Sequence, residues 1–177
     1  MNLKLSIIFL FLISSMFYIG CGNSNDSEKN SLNPDKFKES LVKANKKLVK
    51  TEDEEIEDYI ARYQWKMTKT ETGLRYFIYK NGKGNKSEKG KIAKINYQSS
   101  LITGTPCYSS TESGPKSFVI GKGEVENGIE EGILFLRVGD KAKFIIPSHL
   151  AFGLVGDDKK IPKRATLIYD VELIEIQ

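Results

Sequence analysis

The stretch VIGKGEVENGIEEGILFLRVGDKAKFIIP, residues 119–147, decides the fold of this 177-residue chain. It reads as strand, tight loop, short helix, turn and strand. Asn127 stands where a helix N-cap belongs, with Glu130 three positions on, a variant of the capping box. Ile129, Gly132, Ile133 and Leu136 recur at i, i+3, i+4 and i+7, one apolar face of a helix. Val138-Gly139-Asp140 turns the chain. Ala142, Phe144 and Ile146 then alternate with Lys141 and Lys143, the period of a strand. The stretch supplies no nucleophile, metal cluster or phosphate loop. It supplies a short helix laid across a curved sheet, with an apolar pocket as the expected product.

Downstream, ATLIYDVELIEI (165–176) puts Leu167, Tyr169, Val171 and Leu173 inward, with Thr166, Asp170 and Glu172 outward. Upstream, KIAKINYQSSL (91–101) alternates, with Ala93, Ile95, Tyr97 and Leu101 on one face. Gly104 marks a hairpin tip, Ser113-Gly114-Pro115 a loop and Asn81-Gly82-Lys83-Gly84 a turn. Met67–Thr70 and LRYFIYK (74–80) read as strands divided by Thr72-Gly73. Five or six antiparallel strands with one short helix make an α+β half-barrel wrapped on that helix.

Before residue 65 the period is helical. Pro34 follows a capping Asn33, and Phe37, Leu41, Ala44 and Leu48 share a face. Thr51 with Glu54 reads as a second capping box ahead of Ile56, Tyr59, Ile60 and Tyr63. The pattern predicts two helices, 34–49 and 52–64. They either pack on the domain, mediate homodimerisation, or form a solvated spacer.

Residues 1–20 carry Lys4, the apolar run LSIIFLFLISSMFYI and Gly20. The run is short for a membrane span and has the layout of a signal peptide. Tyr18-Ile19-Gly20-Cys21 resembles a bacterial lipobox, in which the cysteine becomes the lipidated first residue; Tyr18 departs from the usual Leu. An ordinary signal peptide and an uncleaved anchor are the alternatives. The polar GNSNDSEKNS that follows suits a flexible tether. The expected division is a lipoprotein signal peptide (1–20), a tether (21–33), a helical extension (34–64) and one domain (65–177).

Composition narrows the function classes. The 40% hydrophobic and 28% charged content suits a soluble globular domain. A net charge of +4 with interleaved acids, and no arginine stripe with aromatics, argues against nucleic acid as a partner. Cys21 and Cys107 make no disulfide framework, and Cys107 reads as a small buried hydrophobe. His149 is the only histidine and has no cysteine nearby, so no metal site is expected. No nucleophile-elbow motif is present, and nothing calls for a cofactor.

Read together, the strings carry a resemblance. INY (95–97), Gly104 with Tyr108-Ser109-Ser110, FVIGKGEVENGIEEGI (118–133), VGDKAKFIIP (138–147), LAFG (150–153), IP (161–162) and ATLIYDVEL (165–173) come in one family's order. Residues 83–177 resemble the FKBP-type peptidyl-prolyl isomerases, the macrolide-binding immunophilins. The lipobox and EDEEIEDYIARYQW (52–65) ahead of that region resemble the gliding-motility-associated lipoprotein branch.

The resemblance implies an FKBP-like fold and a hollow between sheet and helix. Its walls would be Tyr97, Val125, Phe152, Ile161 and Tyr169. Ile129 takes the floor, where well-studied members have Trp, and the backbone N–H of Glu126 would bond a ligand carbonyl. Cys107 stands where Phe is usual, Tyr108 where Asp is usual, and Phe152 where Tyr is usual. Lys116 replaces another aromatic and Lys160 an Ile. The implied activity is prolyl isomerisation of polypeptide substrates, with macrolide binding at the same pocket. The lipobox-like ending implies a place at the bacterial cell envelope, facing the periplasm or the cell surface. A reading of another class is a chaperone or assembly module that keeps the fold with little turnover. Without the resemblance, Tyr97, Phe152 and Tyr169 read as core aromatics.

Overall fold

Two segments of the chain separate by compactness, Met1–Leu41 and Val42–Gln177, and the computed structural model describes residues 34–177. The signal peptide, Cys21 and the tether expected over 1–33 lie outside the described residues. In the first unit, the described residues are helical and exposed.

Helix α1 spans Pro34–Tyr63 without a break, which corrects the two helices expected. Thr51 does not cap. Its hydroxyl donates back to the Lys47 carbonyl at 3.0 Å, as hydroxyls inside helices do. Strong helix formers on both sides (Lys47, Leu48, Lys50, Glu54) carry the backbone through.

Seven strands follow: β1 (Thr68–Lys69), β2 (Arg75–Lys80), β3 (Ile92–Leu101), β4 (Pro106–Ser109), β5 (Lys116–Val119), β6 (Lys141–Ile146) and β7 (Leu167–Ile176). Their order is β1-β2-β6-β7-β3-β4, and β5 also pairs β3. Every pairing is antiparallel. The half-barrel is therefore present, with one strand more than the sequence count. Two short helices complete it, α2 (Ser110–Ser113) and α3 (Asn127–Ile133).

Helix α3 lies on the concave face. Its residues Ile129, Gly132 and Ile133, with Leu136 beyond it, are buried against Phe144, Ile146, Leu167 and Leu173. Glycine permits the approach: a Cβ at Gly128 would stand 2.4 Å from Ile146, and one at Gly132 2.7 Å from the Phe144 ring. The capping expectation needs correction. Glu126, not Asn127, takes the N-cap position, and no side chain caps it. Glu130 instead accepts the Gly123 N–H at 2.7 Å and closes the tight loop.

The convex face is covered too. Ile145 of β6 and Ile168 of β7 are register partners, and both are buried with Ile56 of α1. Two polar groups tie the same helix down. Glu52, 8% exposed, accepts the Ser148 N–H (2.6 Å), the Ser148 hydroxyl (2.9 Å) and the Thr166 hydroxyl (2.7 Å). Thr166 is thus buried rather than outward-facing. Arg75, 1% exposed, donates to Asp53 (2.5 Å), Glu57 (2.8 Å) and the Gly73 carbonyl (2.6 Å). Lys69, with help from Arg75, holds the Asp53 carboxyl below the usual carboxylate range against the opposing pull of burial. Of the three readings offered for this helix, packing on the domain holds from Glu52 to Ile60. Val42, Leu48 and Val49 stay exposed.

Candidate active site

A cavity of about 320 Å³ opens on the concave side, lined by Ile95, Tyr97, Val125, Glu126, Ile129, Phe152 and Tyr169, with Tyr108, Lys116, Asp157 and Lys159 around them. Six of the seven residues singled out in the sequence meet there. The seventh, Ile161, is 2% exposed and packs in the main core, off the lining.

Each wall is fixed by its own element. Tyr97 sits on β3. Its N–H donates to the Ser110 hydroxyl at 3.1 Å, which in turn donates to the Tyr97 carbonyl at 3.2 Å. The Tyr97 and Tyr169 rings lie 6.1 Å apart, tilted by 33°. Tyr169 is on β7, flanked by Phe144 and Ser99 as register partners. Ile129 comes from α3 and is fully buried beneath the hollow. Val125 and Glu126 lead into that helix. The Glu126 N–H makes no hydrogen bond among the described residues.

Phe152 hangs on the loop between β6 and β7. That loop starts with a 3₁₀ turn, Ser148–Leu150. The Ser148 carbonyl accepts the N–H groups of Ala151 (3.1 Å) and Gly153 (2.8 Å), and the Gly153 carbonyl accepts that of Arg164 (2.8 Å). Since Glu52 grips Ser148, the root of this loop is anchored to α1.

Two tyrosine–carboxylate pairs stand at the rim. The Tyr169 hydroxyl donates to Glu126 Oε1 at 2.8 Å. Burial, then the Glu126 charge, pushes the Tyr169 phenol far above its ordinary range, so it stays a donor. The side chain of Glu126 therefore has a role that attention to its backbone alone overlooks. The Tyr108 hydroxyl donates to Asp157 Oδ2. Asp157 Oδ1 also accepts the N–H groups of Lys159 (2.9 Å) and Ile161 (2.7 Å). Partial burial would raise the Asp157 carboxyl, but these donors outweigh it and leave it lowered.

Sequence reasoning did not place Asp157 or Lys159 at the site. The available signal was an Asx turn, an aspartate whose side chain satisfies N–H groups a few residues on, which marks an ordered loop but no face. Cys107 is a buried thiol, and burial pushes its pKa up. His149 is exposed and contacts the Thr72 carbonyl at 2.9 Å. Among the described residues no group of three or more His, Cys, Asp or Glu could hold a metal ion.

The site is an apolar hollow with three aromatic walls, cut between an antiparallel half-barrel and a short helix. Comparison with known proteins gives the family. The model of the FKBP-type peptidyl-prolyl cis-trans isomerases matches residues 83–174, and the chain belongs to that family. It is similar to the FKBP-type peptidyl-prolyl cis-trans isomerase FkpA of Aeromonas hydrophila, 39% identical over 124 residues, covering 68% of this chain and 45% of the relative. A probable FkpA of Neisseria meningitidis serogroup B is 40% identical over 108 residues, covering 60% and 39%. The match thus spans less than half the length of these two relatives. FK506-binding protein 2 of Dictyostelium discoideum is 44% identical over 92 residues, covering 51% of this chain and 69% of the relative. Among solved structures, the crystal structure of AtFKBP13 superposes with a TM-score of 0.61 at 31% identity, covering 64% of this chain and all of that one.

Proposed function

We propose that this chain is a peptidyl-prolyl cis-trans isomerase, held at the bacterial cell envelope by a lipid on Cys21, that helps extracytoplasmic proteins fold. The observation that carries the reading is the hollow of Tyr97, Phe152 and Tyr169 over Ile129. Prolyl isomerisation has a barrier near 20 kcal/mol and takes about 10–100 s unaided. No bond is made, so no nucleophile or base is required. The planar amide is polar, while the twisted one has lost much of its charge separation. An apolar pocket favours the twisted form relative to the planar one, and that difference is catalysis. The aromatic walls hold the proline ring, and the Glu126 N–H fixes a carbonyl. Macrolide binding would use the same surface.

The test is acceleration of a proline-limited refolding reaction by the full chain in mild detergent. Wild type speeds the slow phase, and Phe152→Ala lowers kcat/KM about fivefold, since an aromatic contact contributes roughly 1 kcal/mol. Phe152→Tyr restores the hydroxyl usual in the family and keeps activity equal or higher. No acceleration at micromolar concentration rejects the enzyme reading. It leaves the second one, a binding module with little turnover, which Ile129 in place of the family's Trp favours.

The anchor is a separate claim. Lys4, the apolar run and the lipobox-like ending support it, and with the helical stretch before the domain they support a place in the gliding-motility-associated lipoprotein branch. Two or more acyl chains, at about 0.8 kcal/mol per buried CH₂, hold a protein firmly at a bilayer. Cys21→Ser should release the chain to the soluble fraction or stall its processing. A variant that stays membrane-bound after normal cleavage rejects the lipoprotein. Homodimerisation through the exposed apolar side chains of residues 34–64 belongs to the same proposal and is read from the sedimentation of the full chain.

A further inference from the structure

The polar rim of the cavity is unequal in the hydrogen-bonding capacity its charged groups leave for a ligand. Both lining carboxylates are already engaged. Asp157 accepts the Tyr108 hydroxyl and the N–H groups of Lys159 and Ile161, and Glu126 accepts the Tyr169 hydroxyl. The two lining lysines are not. Lys116 and Lys159 enter none of the ion pairs among the described residues. They come from separate elements: Lys116 opens β5 opposite Ile95, itself a lining residue, and Lys159 sits on the β6–β7 loop that carries Phe152. A third lysine, Lys160, is occupied, by Glu112 at 3.7 Å and by the face of Tyr108 at 5.1 Å. A segment seated in the hollow therefore meets two uncommitted ammonium groups and two carboxylates already bonded to donors.

We propose that this site selects proline-containing segments with an acidic residue next to the proline, and that Lys116 and Lys159 are the specificity-determining residues. The proposal rests on the hollow being the peptide site. Lysine fits this role because its stem lies along apolar lining while its charged end stays in water, so the proline subsite remains apolar. Exposed ion pairs of this kind shift an equilibrium by up to about fivefold each, and salt weakens them.

The experiment uses the full chain in mild detergent and fluorescent peptides carrying Glu, Gln or Lys before or after one proline. Both kcat/KM for isomerisation and Kd by anisotropy are measured, at about 20 mM and 500 mM salt, where the screening length falls to roughly 4 Å. At low salt the Glu peptide is favoured over the Lys peptide about tenfold in at least one position, and high salt reduces this below threefold. Lys116→Gln and Lys159→Gln each cut the preference, and the double variant abolishes it. Turnover and binding separate the two claims. A protein without turnover that still binds the Glu peptide more tightly upholds the selectivity and rejects the isomerase. Discrimination below twofold at low salt, in either position and either readout, overturns the selectivity even if isomerisation is fast.

Discussion

Tyr169→Ala unfolds at markedly lower urea and binds proline peptides at least tenfold more weakly. Tyr169 is 4% exposed, lies on the strand between β6 and β3, and has its ring beside that of Tyr97. Truncating an aromatic in such a setting costs about 3–5 kcal/mol, part lost transfer energy and part cavity. The same ring is a wall of the hollow, so stability and binding fall together. Tyr169→Phe divides the two. It keeps the ring and removes the hydroxyl bonded to Glu126, a change of about 1 kcal/mol. Urea midpoints with peptide titrations check both variants. If Tyr169→Ala binds as well as wild type while still folded, the functional surface lies elsewhere on the chain.

Glu52→Ala carries the other large effect. Its carboxylate accepts three hydrogen bonds, from the Ser148 N–H, the Ser148 hydroxyl and the Thr166 hydroxyl. Alanine leaves these donors in a buried place without an acceptor. Each unsatisfied group costs about 1–3 kcal/mol, and partial relaxation brings the sum to roughly 3 kcal/mol or more. Glu52→Gln keeps one carbonyl oxygen and most of the shape, so it should lose about half as much. Because Ser148 roots the loop that carries Phe152, hydrogen exchange across 148–164 should quicken in the alanine variant before the sheet opens. A urea midpoint equivalent to within about 0.5 kcal/mol of wild type would mean that the carboxylate contributes no net stability.

Much of the half-barrel is legible because its strands alternate. Ala93, Ile95, Tyr97 and Val171, Leu173 point one way at period two, and α3 shows its i, i+3, i+4 face despite its brevity. The covering of the convex face is harder to read, yet it left a trace. Ile145 and Ile168 break the alternation of β6 and β7, and each lies directly under Ile56. A strand buried on both faces reads as a continuous apolar run, and residues 144–146 are one. The helix boundary misleads for another reason: Thr51 and Glu54 match a capping pattern that residues within a helix also satisfy. At the site, the resemblance placed Tyr97, Val125, Glu126, Ile129, Phe152 and Tyr169, while Asp157 and Lys159 belong to a stretch of loop outside its motifs, whose course depends on hydrogen bonds that no periodicity encodes.

The order of the strands carries a kinetic consequence. β7, last of the described strands, is inserted between β6 and β3, pairing with β3 from Leu167 to Ile176 and with β6 from Leu167 to Glu172. No stable sheet joins the two halves of the barrel until residues 167–176 are present. During synthesis, β1–β6 leave the ribosome as two unconnected pieces, β1-β2-β6 and β3-β4-β5, each with an open edge. Closure is then one late, long-range event, with residues as distant as Ala93 and Ile176 becoming neighbours. The two halves of the sheet join only once residues 167–176 are free to pair, and until then the unpaired edges of β6 and β3 are the surfaces most exposed to aggregation.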